Sequence, residues 1–333
     1  MSPVSIGVVG LGYWGPNLAR NFDRLAETEL RWICDSSANA RDRWGSQFPN
    51  TQVSADLDEL LADPELDAVA IAAPVPSHAD LAVKVLQAGK HCFVEKPLAQ
   101  SVADAERVVE AAEQTRKVLM VGHLLEYHPG VRKLKEVADS GDLGDIRYIY
   151  GNRLNLGKLR GDENALWSLG AHDVSVLLYL ADEEPDELNA FGESYMRPPV
   201  EDVVFCYLRF PSGLMAHLHL SWLDPHKERR FTMVGSNKMA SFDDMEREQK
   251  LVIYDKGFDE DYTSYGEYIA RSGDAWSPQI SNEEPLRIEC RHFAECVRDG
   301  KTPVSDGRSG LRVVRVLEGL QQSLERSARA QAV

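Results

Sequence analysis

The stretch Ile6-Gly7-Val8-Val9-Gly10-Leu11-Gly12-Tyr13-Trp14-Gly15 passes from an apolar, β-branched run through a glycine turn into a helical pattern. In such a turn Gly10 permits the tight bend, Gly12 lets an anionic group approach the backbone, and Gly15 lets helix and strand pack closely. Backbone amides and a helix N-terminus are thereby offered to a pyrophosphate. Outward from this stretch, Val4 to Val9, Leu30 to Cys34, Ala68 to Ala72, His91 to Val94 and Val118 to Val121 are short apolar runs, most without a wet face, as buried parallel strands require. Helical patterns near 15–25, 38–47, 56–61, 78–88 and 102–115 alternate with them. This order predicts an α/β fold, a doubly wound Rossmann domain over residues 1–122.

Asp35 ends the second apolar run, twenty residues after Gly15. A carboxylate there can accept bonds from the adenosine ribose hydroxyls and repels a 2′-phosphate, which favours NAD over NADP. The alternative is an aspartate that caps the next helix at Ser36-Ser37. Arg41, one turn on, can soften the discrimination. The fourth of these runs, His91 to Val94, leads into Glu95-Lys96-Pro97-Leu98. A lysine at the carboxyl end of a parallel strand sits over the crevice that holds a dinucleotide.

After about residue 122 the pattern changes. A helix over 129–140, a strand over 146–154 and a helix near 171–180 precede strands at 188–194, 203–210, 215–222, 230–235 and 239–243, with Pro211-Ser212-Gly213 as a turn. Residues 123–333 are therefore expected to form an α+β domain for substrate binding and oligomerisation, built on a large, mostly antiparallel sheet. Residues 255–278, polar and aromatic, read as a mobile loop. Helical patterns at 285–298 and 309–327 close the chain and are expected to pack back on the first domain. The alternating Met215-Ala216-His217-Leu218-His219-Leu220 suggests a sheet face covered by a neighbouring subunit, in a homodimer or homotetramer.

A length of 333 residues suits two domains, and 43% hydrophobic with 27% charged residues is the balance of a soluble globular protein. The chain has no run of about 18 apolar residues, and Met1-Ser2-Pro3 shows no leader pattern, so a cytoplasmic enzyme is expected. Five cysteines without C-x-x-C spacing read as reduced thiols, with no metal site expected. The net charge of −16 opposes binding to nucleic acid or an anionic membrane. An anionic ligand then requires a local basic cluster, and two exist: Arg153, Lys158, Arg160 and Lys227, Arg229, Arg230. The plainer reading of each cluster is a solvated face.

Together, Gly10-x-Gly12-x-x-Gly15, Ala73-Pro74-x-x-Ser77-His78, Gly89-Lys90-His91-x-x-x-Glu95-Lys96-Pro97, Leu169-Gly170-Ala171-His172-Asp173 and Cys296-Val297-Arg298-Asp299-Gly300-Lys301-x-Pro303 resemble the glucose-fructose oxidoreductase and inositol dehydrogenase (Gfo/Idh/MocA) family. The resemblance covers nearly the whole chain, and Glu-Lys-Pro is its specific element. It implies hydride transfer between a sugar or cyclitol carbinol carbon and nicotinamide C4. His172 would be the acid/base, and Lys96 would hold the reacting oxygen and the nicotinamide ribose. The cofactor would be met by Gly10, Gly12, Tyr13, Trp14, Gly15, Asp35, Pro74, His78, Glu95, Lys96 and Pro97. His78 either contacts it or caps its own helix, and in the family the bond before Pro97 is often cis. The family commonly has aspartate where this chain has Ser168, which can bond a hydroxyl but supplies no carboxylate. Relatives with a tyrosine proton donor exist; Tyr127 is the candidate, its other reading being a core aromatic.

The stretch Arg153 to Arg160 with Asn164-Ala165-Leu166-Trp167 is similar to members that act on nucleotide sugars at C3. Substrate contacts would then come from Lys96, Tyr127, Asn155, Lys158, Arg160, Trp167, Ser168 and His172. The leading expectation is NAD-dependent oxidation of a UDP-N-acetylglucosamine-type sugar to its 3-keto form for amino-sugar biosynthesis. Alternatives are a dTDP-deoxysugar 3-ketoreductase, an inositol or monosaccharide dehydrogenase, and a non-catalytic dinucleotide sensor.

Overall fold

The computed structural model describes residues 2–157, 159, 163–262 and 268–331. The chain divides into two units, Met1–Tyr127 with Glu283–Arg315, and His128–Asn282 with Val316–Val333.

In the first unit the apolar runs become β1 (Val4–Val9), β2 (Thr28–Cys34), β4 (Ala68–Ile71), β5 (His91–Glu95) and β6 (Leu119–Gly122), joined by a three-residue edge strand β3 (Gln52–Ser54). Helices α1 (Gly15–Arg24), α2 (Ala38–Gly45), α3 (Leu57–Leu61), α4 (His78–Gln87) and α5 (Val102–Thr115) connect them. The sheet is parallel in the order β3-β2-β1-β4-β5-β6, a doubly wound arrangement that reverses direction beside β1. β1 and β4 are buried at every position, which explains their unbroken apolar runs. β3 escapes a reading by periodicity because it is short and two of its three residues face water.

The domain boundary expected at 122 is corrected in two places. Tyr127 stays with the first unit because its hydroxyl bonds the Ser305 hydroxyl at 2.8 Å. Residues Glu283–Arg315 also belong there: α8 (Pro285–Asp299) carries Leu286, Cys290, Phe293 and Ala294 on one face and buries them in the core beneath β1 and α1. Phe293 meets Phe22 and Phe93 edge-on, with centroids 6.3 and 5.7 Å away. Of the two closing helices, α8 lies wholly within the first unit. The long α9 (Gly307–Gln331) is shared, its first nine residues with the first unit and the remainder with the second.

In the second unit α6 (Pro129–Asp139) and α7 (Ala171–Ala181) accompany a sheet of β7 (Ile146–Leu156), β8 (Glu187–Glu193), β9 (Val203–Arg209), β10 (Met215–Ser221), β11 (Leu223–Gly235), β12 (Met239–Asp243), β13 (Leu251–Tyr262) and β14 (Tyr268–Trp276). Among the described residues its order is β14-β13-β12-β11-β7-β10-β9-β8, antiparallel except for β7 beside β10. The loop expected over 255–278 is instead mostly the hairpin strands β13 and β14. Its hydrogen bonds are made by backbone at a sheet edge, where charged side chains can face water, so no apolar alternation marks it. Ala216, Leu218 and Leu220 of β10 are buried, as the alternation predicts, with His217 and His219 on the other face. No helix among the described residues is long and apolar enough to cross a membrane.

Candidate active site

The glycine turn of the first unit has the shape a pyrophosphate needs. Gly10 has φ +92°, and a Cβ there would lie 2.6 Å from the Ala72 carbonyl oxygen; at Gly15 it would lie 1.7 Å from the Gly10 oxygen. Both glycines are demanded by the turn itself. A Cβ on Gly12 would meet nothing within 4 Å, so this backbone faces open space above the turn. Asp35 closes the loop: one carboxylate oxygen accepts the Leu11 amide at 2.6 Å and the other the Ser37 amide at 2.8 Å. The cap of α2 is Ser37, whose hydroxyl accepts the Ala40 amide, so Asp35 steadies the residue before the helix and its half-buried carboxylate stays beside the glycine turn. The Arg41 guanidinium donates to the carbonyls of Asp35 and Ser36, which ties it to the backbone at the same place.

At the far side of the reversal point, β5 delivers Glu95 and Lys96, and the Lys96–Pro97 peptide is cis. Burial pushes the Glu95 carboxyl up to about 7, against the opposing pull of Lys96, its own amide and a bond from the Trp14 side chain. Glu95 therefore braces the glycine turn to the end of β5. His78 is a second brace, with ring nitrogens 2.8 Å from the Pro97 oxygen and 2.9 Å from the Ala73 oxygen. Burial holds it neutral by pushing its pKa down, although both carbonyls favour the cation; desolvation dominates for a ring 1% exposed. Both ring nitrogens of His78 thus face backbone carbonyls of the first unit, and the neutral ring donates to one of them.

In the second unit a π-turn over Leu166–Gly170 runs directly into α7, and its Ser168 amide donates to the Asn164 oxygen at 3.0 Å. Asn164 braces the turn: its amide donates to Glu201 and Gln321 and its oxygen accepts from the Trp167 amide. A spacing of four residues puts Ser168 and His172 on one face of this helical stretch. His172 and Trp167 are half-buried, and Ser168 is 9% exposed. Asn155, on the face of β7 shared by buried Arg153, keeps a buried carboxamide oxygen with no protein hydrogen bond among the described residues.

These features fit a dinucleotide in the first unit: a turn that tolerates no Cβ at two positions and leaves space at the third, a ribose-side carboxylate and a cation across the strand reversal. Residues 4–123 match the family model "Oxidoreductase family, NAD-binding Rossmann fold", and residues 131–241 match the GFO/IDH/MocA C-terminal domain. The chain belongs to the Gfo/Idh/MocA oxidoreductase family. It is an NAD-binding oxidoreductase. It is 28% identical over 309 residues to UDP-N-acetylglucosamine 3-dehydrogenase of Acidithiobacillus ferrooxidans, covering 92% of this chain and 93% of that protein. It is 25% identical over 313 residues to scyllo-inositol 2-dehydrogenase (NAD(+)) of Bacillus subtilis, covering 90% and 88%. The solved structure of the Acidithiobacillus enzyme superposes with a TM-score of 0.85 at 24% identity, over 98% of this chain and 99% of that one.

Within this Gfo/Idh/MocA chain the structure distributes the expected residues unevenly. Gly10, Gly12, Tyr13, Trp14, Gly15, Asp35, Pro74, Glu95, Lys96 and Pro97 gather in the first unit at the carboxyl ends of its strands or in the loops that follow them. Asn155, Trp167, Ser168 and His172 lie on β7 and at the start of α7 in the second. Lys158 and Arg160 lie outside the described residues. Tyr127 is a correction: it is fully buried, and its hydroxyl is held by Ser305, so it is a core residue and not a substrate contact. Two cations of the second basic cluster are paired locally, Arg229 with Asp244 and Arg230 with Asp243 and Glu228, while Lys227 is exposed.

His123 escaped the sequence reading. Register pairs Glu95 with Gly122, which sets His123 beside Lys96 at the ends of neighbouring strands. Burial, aided by Lys96, pushes its pKa down to about 3, and neither ring nitrogen has a hydrogen bond among the described residues. The only sequence signal was a histidine just past a predicted strand; its pairing with Lys96 needs the register of two distant strands.

Proposed function

We propose that the protein oxidises the C3 hydroxyl of a nucleotide-linked N-acetylhexosamine of the UDP-N-acetylglucosamine type. NAD bound at the glycine turn would supply the hydride acceptor. Lys96 steadies the reacting oxygen electrostatically as its proton leaves, and His172 accepts that proton as general base. Ser168 supports a substrate hydroxyl, and the Asn155 carboxamide oxygen accepts from another. The observation that carries the reading is the 28% match to a UDP-N-acetylglucosamine 3-dehydrogenase along 92% of the chain, through both units. Lys158 and Arg160 are the cations assigned to the diphosphate.

A second reading, a cyclitol or free-sugar dehydrogenase, is favoured by the loss of Arg153 from the basic stretch: it is buried against Asp173 and leaves fewer cations for a diphosphate. The outer face of the second sheet, with Phe191, Phe205, Met215 and Tyr148 exposed, is proposed as the contact between copies of the chain in a homo-oligomer.

The deciding experiment follows NADH formation at 340 nm with UDP-N-acetylglucosamine, its uronic acid, dTDP-glucose and myo-inositol, with a ketone trap. Turnover with the UDP sugars alone is expected. Turnover with myo-inositol alone overturns the leading reading in favour of the second.

A further inference from the structure

α7 is buried mostly through apolar side chains, Val174, Val176, Leu177, Leu178 and Leu180 with Ala171. Apolar contact is non-directional and fixes the rotation of a helix poorly. A buried contact that ties this helix to β7 is directional. Asp173, 1% exposed in the first turn of α7, accepts a charge-assisted hydrogen bond from Nε of Arg153, 8% exposed on β7. Arg153 is itself fixed in the middle of the sheet, in register with Leu220 of β10 and Arg229 of β11. A buried ion pair is a poor means of gaining stability, because desolving two charges offsets much of their attraction. Its distinctive property is direction.

We propose that the Arg153–Asp173 pair is the positioning device for His172. Asp173 is the next residue along α7, so anchoring it to the sheet sets His172 about 100° around the helix, where it is half-buried. The Ser175 hydroxyl bonds the His172 carbonyl at 2.9 Å and steadies the same turn. A rotation of about 10° at a radius of about 6 Å moves the imidazole by about 1 Å, enough to lower a rate on the order of 10²-fold. Arg153 is then a positioning residue and not part of an anion-binding cluster. The inference rests on the proposed role of His172, but the pair's effect on the ring can be read without turnover.

The test uses the full chain with NAD and UDP-N-acetylglucosamine as probe substrate. Arg153→Met alone strands a buried carboxylate and can fail to fold, so the informative variant is the charge-free Arg153→Met/Asp173→Leu, which retains a filled core. The ring signals of His172, identified by their loss in His172→Asn, are followed by NMR beside kcat and the KM for NAD. The expected result is a shifted His172 signal and a kcat lower by about 10²-fold, with the KM for NAD unchanged and part of the rate retained in Arg153→Lys. An unchanged His172 signal in the folded double variant overturns the proposal, whatever the rate. A shifted signal with unchanged kcat upholds the positioning and removes His172 from the chemistry.

Discussion

Gly12 and Gly15 look alike in the sequence and differ in what a methyl group would meet. A Cβ at Gly15 collides with the Gly10 carbonyl, which belongs to the rigid turn, whereas a Cβ at Gly12 enters open space. Gly15→Ala is therefore expected to lower the melting temperature markedly. Gly12→Ala should leave melting within a degree or two while weakening NAD binding at least about tenfold, since the added methyl stands where the pyrophosphate approaches. Calorimetric titration of NAD and a thermal melt on both variants check this; a Gly12→Ala protein with unaltered affinity would place the dinucleotide elsewhere. At this scale the placement of the glycines, Asp35 and Lys96 was legible because it is local to a turn or a strand end. His78, Tyr127 and Arg153 were not, because a polar side chain reads the same whether its partner is a ligand or a distant carbonyl, hydroxyl or carboxylate.

At the scale of elements, β5 depends on a histidine that must stay neutral. His91 Nδ1 accepts the Val118 amide at 2.9 Å, and burial, helped by Lys117, pushes its pKa down to about 4 against the pull of Asp67. The folded pKa lies below that of the unfolded chain, so the unfolded state takes up the proton first as pH falls. This contribution is whole above about pH 6.5 and is lost progressively towards pH 4. His91→Asn, whose amide oxygen can replace Nδ1 as acceptor, should match the parent in urea midpoint at pH 7.5 and lose less of it by pH 5. Equal losses in the two proteins would show that His91 does not titrate with folding. Elements whose two faces differ, such as β10, announced themselves by period; β3 and the β13–β14 hairpin did not, because edge strands are held by backbone bonds that leave no mark on side-chain order.

At the largest scale, the outer face of the second sheet is the surface proposed for contact between copies. Cross-strand register lines up Phe191, Phe205 and His219 in one row and Tyr207, His217 and Tyr150 in the next. Phe205 stacks on His219 with centroids 4.3 Å apart, and Tyr150 on His217 at 5.2 Å. Exposed aromatic rows of this kind mark contact surfaces. Sedimentation equilibrium should give a multiple of the 37.2 kDa chain, and Phe205→Glu, which plants a charge where Phe205 is 51% exposed, should shift it towards the single chain. A parent that sediments at one chain mass would overturn this surface as an interface.

The Rossmann half, its glycine turn, the lysine after β5 and the α+β character of the second half could all be read from the chain alone, because each follows from short-range order: a period, a glycine spacing, a strand end. Tertiary structure alone decided that α8 joins the first unit, that His123 stands beside Lys96, and that Arg153 is buried on Asp173. These depend on the register of segments far apart in the chain. Register is set by the packing of many side chains together, and no single stretch of sequence carries it.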